Sequence, residues 1–418
     1  MNLHVIRNKV ELLMKCAIVV CSFMLMPVMS VEASSYTDGQ GVVYSLIEEG
    51  GGTYIARVTS GMSINKGDIT IPEFVIDNGV TYTVTEIALN AFYNWSGGTN
   101  NTPLTTLTIE GTPKIDSTAF KDCTNLTTVT IEGGTIEQSA FQGCIKLSSL
   151  DLGNVTAIKT SAFKGCTSLS NVTIPNSVTS IGGDAFSGCT CLSTINLGNV
   201  ETIGEYAFYN CTTLSNVTIP NSVTTIGQAV FEGCSSLTSI TLPNSITTIE
   251  ANTFKKSGLT SIIIPANVTT LNEFAFYECL ALTSVYILGD SINIGPAVFQ
   301  KCSNLKEITI LASQVTISIG ATGGETSGQE TTKDVFEGCT NLTTIIVTSE
   351  AIKAEIEKSL EASKVTSVSV INNTYIEIPE QDTGSTGDTG STGDTGNTEE
   401  AAPRFGYLQR QRSFIFLV

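Results

Sequence analysis

Three features of this chain could do chemistry: ten cysteines after residue 33, three Asp-Thr-Gly tripeptides and one Gly-Asp-Ser. Clustered cysteines suggest zinc or disulfides. Asp-Thr-Gly is the aspartic-protease signature, which needs two loops held rigidly face to face so that their carboxylates share a proton. Here the copies start at Asp382, Asp388 and Asp394, in a polar hexapeptide repeat with nothing to hold them. Gly289-Asp290-Ser291 resembles a hydrolase box, but a serine nucleophile needs a base. The only histidine is His4, inside a segment read below as a cleaved leader, so histidine-based catalysis and histidine metal ligation are excluded.

The cysteines obey a period. Phe120, Phe141, Phe163, Phe186, Phe208, Phe231, Phe254, Phe276, Phe299 and Phe336 recur mostly every 21 to 23 residues, and most are followed three residues later by Cys. Those are Cys123, Cys144, Cys166, Cys189, Cys211, Cys234, Cys279, Cys302 and Cys339, with Ser257 in one gap. Such a row is a one-dimensional ladder, whereas zinc needs four ligands converging on a point. Neighbouring sulfurs could be close enough for disulfides, but parallel Cβ vectors give poor torsions. The preferred reading is a buried ladder of free thiols acting as small hydrophobes. Cys191 breaks the pattern two residues after Cys189 and is the exposed-thiol candidate, set against simple drift at a surface position.

The element carrying the ladder is clearest from Leu169 to Cys191, written L-x-x-V-x-I-P-N-S-V-x-x-I-G-x-x-A-F-x-G-C-x-x. Leu169, Val172 and Ile174 alternate as a strand, Pro175 ends it, and Val178 and Ile181 turn inward again. Ala185 and Phe186 fit one tight turn of helix or 3₁₀, with Gly188 as a left-handed exit. A single unit buries too few side chains to offset its ordering entropy. The units must therefore stack into a solenoid with a continuous parallel sheet along one side.

In register over ten units, this motif resembles the BspA-like leucine-rich repeat from about Thr83 to Val347. The resemblance implies a leucine-rich repeat solenoid of the α/β class, β-rich, with a parallel inner sheet, short helical or 3₁₀ turns on the convex side and a β cap at the N-terminus. The expected organisation is a signal peptide over 1–33, cut after Ala33, an N-terminal β cap over 34–90, and repeats over 91–348. A helix-strand cap at 349–378 follows, with Ser349 as helix cap, then a disordered Thr/Gly/Asp-rich spacer at 379–403 and a basic-aromatic terminus at 404–418. The apolar run Cys16 to Met29 is short of the roughly 20 residues that cross a bilayer, so no transmembrane span is expected in the mature chain. The last segment reads as a secreted terminus or a frame-disrupted anchor, since the anchoring pattern of wall-bound proteins is incomplete.

Composition narrows the function. Of 418 residues only 14% are charged, and the formal net charge is −18, which offers no electrostatic footprint for nucleic acid. No constellation supports an enzyme, a metal or a cofactor. The rigid surface left for binding is the outward side of the inner strands, mostly Thr, Ser and Asn. Ile263 and Tyr286 depart from that chemistry on adjacent strands, with Ile346 two strands beyond and Glu307 and Thr309 between. These five form the candidate partner-binding site, because exposed apolar clusters with a Tyr favour contact. The resemblance implies a secreted or cell-surface protein that adheres to host, matrix or neighbouring cells through an extracellular protein or cell-surface ligand. The alternative is a passive or self-associating surface element.

Overall fold

The structure is a computed structural model that describes residues 34–61, 67–93, 104–318, 320–324, 330–365 and 368–373. The expected leader, spacer and basic-aromatic terminus lie outside them. The chain is a leucine-rich repeat solenoid built of mostly parallel sheets, with one α-helix among the described residues.

Each coil supplies two short strands because its apolar residues alternate twice. In the coil opened by Leu169, the strand Asn171–Thr173 buries Val172 and exposes Asn171 and Thr173. Pro175 then accepts from the Val178 N–H in a turn, and Ser180–Ile181 forms the second strand. Stacking repeats this arrangement in register: Val172 lies opposite Ile195, which lies opposite Val217. The inner strands form ladders over Asp68–Ile71 to Ser149–Asp151, Asn171–Thr173 to Asn216–Thr218, and Ser261–Ile264 to Ser369–Asn372. Before the coils, Ser34–Thr37, Val43–Glu48 and Tyr54–Ser60 pair antiparallel, and Val80–Ile87 then joins Tyr54–Ser60 in parallel.

On the convex side the tight turns are i to i+3 bonds at alternate residues, such as Ala162 N–H to the Lys159 carbonyl and Lys164 N–H to that of Ser161. They do not run on as a helix, because the residues between them, Ser161 and Gly165, have φ of 56° and 74°. Alternation turns every second peptide along the solenoid axis. The N–H groups of Ser161, Phe163 and Gly165 donate to the carbonyls of Gly183, Ala185 and Ser187 in the next coil, each at 2.8 Å. Coils 120 to 276, named by their Phe, all repeat this triple bond, with every N–H pointing toward the C-terminal end. The ladder ends are capped: the Ala91 carbonyl accepts from the Gly61 N–H at 2.8 Å, and the Phe336 N–H donates to Ser363 Oγ at 3.4 Å.

Inside this ladder the phenylalanines from Phe92 to Phe336 stack with centroids 4.7–6.3 Å apart and planes within 17°. Each ladder thiol donates to the Phe carbonyl of the preceding coil, as Cys166 Sγ does to Phe141 at 3.3 Å. The same bond recurs from Cys123 to Cys339 at 3.0–3.4 Å. Cysteine thus serves as an apolar residue carrying one donor. All ten cysteines among the described residues are free, nine buried and Cys191 exposed.

The inner ladder breaks between Ser149–Asp151 and Asn171–Thr173, and both strand ladders break together in one further place where the convex ladder does not. Residues 239–241 contribute only the bridge Thr218 to Thr241, and the second sheet stops between Thr225–Ile226 and Thr248–Ile249. The gap adjoins a coil one residue short, where Leu259 follows Phe254 by five positions instead of the six between Phe231 and Leu237. Gly258 allows that shortcut, since a Cβ there would lie 2.2 Å from the Ser235 carbonyl oxygen.

The array ends in helix α1, Glu350–Ala362, whose first turn is capped by Ser349 accepting from the Ile352 N–H. Ile352, Ile356 and Leu360 are its buried face. The chain then returns as Ser369–Asn372, parallel to Thr344–Val347.

Candidate binding face

Beyond the gap the inner strands lengthen and their outward residues change character. The register places Ile263 beside Tyr286, Tyr286 beside Thr309 and Thr309 beside Ile346. Ile371, not singled out by its sequence, extends the row by one strand and is 45% exposed. Ile263, Tyr286 and Ile346 are half-buried, as side chains packed shoulder to shoulder along a pleat would be. Glu307 lies in the parallel row between Ser284 and Thr344, on the same outward side.

Thr309 sits in the middle of the row and is 1% exposed. Its Oγ1 has no hydrogen-bond partner. Tyr286 and Ile346 on either side shield the hydroxyl from water without replacing it, and a buried unpaired hydroxyl costs on the order of 1–3 kcal/mol. Burial, and then the neighbouring Glu307 carboxylate, raise the Tyr286 hydroxyl above its ordinary pKa. It therefore stays a neutral donor at physiological pH. The row offers apolar contact, one phenolic hydroxyl and one unsatisfied hydroxyl.

The other candidates stay apart from this face. Cys191 is exposed, on the loop after the thiol of Cys189. Gly289-Asp290-Ser291 is the turn into the strand Ser291–Ile294, where the Asp290 carbonyl accepts from Ser313 N–H and Oγ. The Asp-Thr-Gly repeats lie outside the described residues. Among the described residues no group of three or more His, Cys, Asp or Glu converges as a metal site, and no helix is long and apolar enough to cross a membrane.

Comparison with known proteins agrees with this architecture. The family described as BspA type leucine rich repeat region matches six copies over residues 85–215 and 201–321, more than half of the chain. A leucine-rich repeat protein from Bacteroides ovatus is similar at 25% identity and TM-score 0.56, covering 74% of this chain and 82% of that one. A leucine rich cell surface protein from Faecalibacterium prausnitzii has 27% identity and TM-score 0.47, with 82% of this chain and 96% of that one covered. No curated protein matches. With the motif in register, the coil geometry and the family match in agreement, the chain belongs to the BspA type leucine-rich repeat family.

Proposed function

We propose that the protein is exported, residues 1–33 acting as its signal, and that it binds an extracellular protein through the concave face of its last five inner strands. The observation that carries this reading is the row Ile263, Tyr286, Thr309, Ile346 and Ile371, four apolar side chains around a buried hydroxyl with no partner. Leucine-rich repeats commonly serve adhesion and protein contact, and a rigid, repeated inner surface suits that work. A partner that covers the row gains apolar burial and can satisfy Thr309, whereas water gains neither.

The test is binding of the full-length protein to a panel of purified matrix proteins and intact cells, comparing wild type with Tyr286→Ala and Thr194→Ala. Loss of a central aromatic anchor costs about 2 kcal/mol or more, roughly 30-fold in affinity. Thr194, on the hydroxyl-rich early strands, leaves affinity unchanged. Equal binding by Tyr286→Ala and wild type refutes the reading, and binding to nothing on the panel favours a passive surface element.

A further inference from the structure

The two edges of the inner sheet are finished differently. At the N-terminal edge, the outward N–H and carbonyl of Thr70 are both taken by one side chain. Thr70 N–H donates to Gln40 Oε1 at 3.0 Å, and Gln40 Nε2 donates to the Thr70 carbonyl at 2.8 Å. The amide imitates a neighbouring strand. Asp38 fixes it, accepting from the Gln40 backbone N–H at 2.8 Å and from Nε2 at 3.1 Å.

No such device finishes the other edge among the described residues. Ser369 and Asn373 donate inward to the Thr343 and Val347 carbonyls, so the backbone groups of Val370 and Asn372 point away from the sheet. The strand Ser369–Asn372 carries no charged residue and no proline, the usual protections of a free edge. Its exposed Ile371 is also where the apolar row runs out.

We propose that this edge pairs with the same edge of a second copy, forming an antiparallel dimer about a two-fold axis at Ile371. The outward groups lie symmetrically on either side of Ile371, so the edge is complementary to itself. Val370 of each chain exchanges both backbone bonds with Asn372 of the other, and the two Ile371 side chains meet as the non-hydrogen-bonded pair. One apolar row then runs on into the next. Because Gln40 occupies the opposite edge, strand addition stops at two chains and does not grow a filament. The pairing concerns the edge, so it stands or falls separately from what binds the concave face.

Sedimentation of the full-length protein from about 1 to about 100 µM should show a concentration-dependent dimer. Ile371→Lys, which sets two like charges together, and Val370→Pro, which removes an outward N–H while sparing the bonds to Thr344–Val347, should each leave a monomer. In a Cys191→Ser background of the chain from Ser34 onward, Ile371→Cys should form a covalent dimer when dissolved oxygen takes the two electrons. Cα atoms of a non-hydrogen-bonded antiparallel pair lie about 4.5 Å apart, within disulfide range. Leu280→Cys, at a more exposed position off the edge, should not. A monomer at every concentration overturns the proposal, as does a dimer indifferent to both Ile371→Lys and Val370→Pro.

Discussion

The convex and concave sides share one period but keep it with different strictness. The convex bonds cross the coil where both strand ladders stop: Ala229, Phe231 and Gly233 still donate to Ala251, Thr253 and Lys255 at 2.8–2.9 Å. Its rings, thiols and peptides are all interior, so each substitution is felt by two neighbours. Concave outward residues touch neighbours only at their sides and can vary from Thr to Tyr without changing the stack. Continuity resides on the convex side, and that leaves the concave side free to carry specificity.

The largest test of this contrast is Phe208→Ala against Thr194→Ala. Removing a ring stacked on both faces opens a cavity and should cost about 3–5 kcal/mol. The exposed Thr should change stability by about 0.5 kcal/mol or less. Urea midpoints of the two variants measure it, and equal losses would erase the distinction.

Alkaline pH is the next lever on the convex side. Burial pushes the thiols of Cys189, Cys234 and Cys339 up to about 12, and those of Cys144, Cys166 and Cys211 well above their ordinary value. A raised folded pKa means the folded state holds the proton more tightly than the unfolded chain. That stability is complete below the unfolded thiol pKa of about 8.5 and is lost as pH rises toward 12. Unfolding midpoints should therefore fall steeply from pH 8.5 upward, and Cys189→Val with Cys234→Val should make the fall shallower. At neutral pH a thiol reagent should modify Cys191 alone in the folded chain from Ser34 onward; labelling of the buried nine would contradict the ladder.

Much of the convex side was legible because its period is written in residue types. Phe and Cys recur at one spacing, and burial of both follows from stacking. The left-handed positions two residues before each stacked Phe from Phe92 to Phe299 were not legible. They hold Thr118, Ser139, Tyr206, Ala229 and Phe274 among others, with no glycine to mark them, and inter-coil hydrogen bonds impose their φ. On the concave side, alternation placed Ile263, Tyr286 and Ile346 outward, and the parallel register sets Ile263 beside Tyr286 with Ile346 two strands further along the same row. Ile371 escaped notice because it follows the helix and falls outside the repeat's phase. Gln40 escaped because its pairing with Thr70 spans 30 residues and uses a side chain in place of a strand.

A convex thiol gives an intermediate effect. Cys211→Ala removes both apolar volume and the donor to the Phe186 carbonyl, and should cost about 1–3 kcal/mol. Cys211→Ser keeps the donor and should recover part of that loss, as Ser257 does by standing in the same row beside Cys279. If Ser proves worse than Ala, the S–H to carbonyl bond is not what selects cysteine.

The smallest expected change is the one that separates the two sides most sharply. Thr309→Val keeps the shape of the side chain and removes the hydroxyl that has no partner. On the convex side, where polar groups are satisfied, deleting one destabilises. Here the buried orphan is the destabilising element, so its removal should raise stability by about 1 kcal/mol, read as a higher urea midpoint. If a partner satisfies that hydroxyl, the same substitution should weaken binding about fivefold to tenfold, so stability and affinity move in opposite directions. A stabilised variant that binds as tightly as wild type would leave the apolar side chains as the whole of the recognition, and a destabilised one would mean that Thr309 is satisfied within the fold.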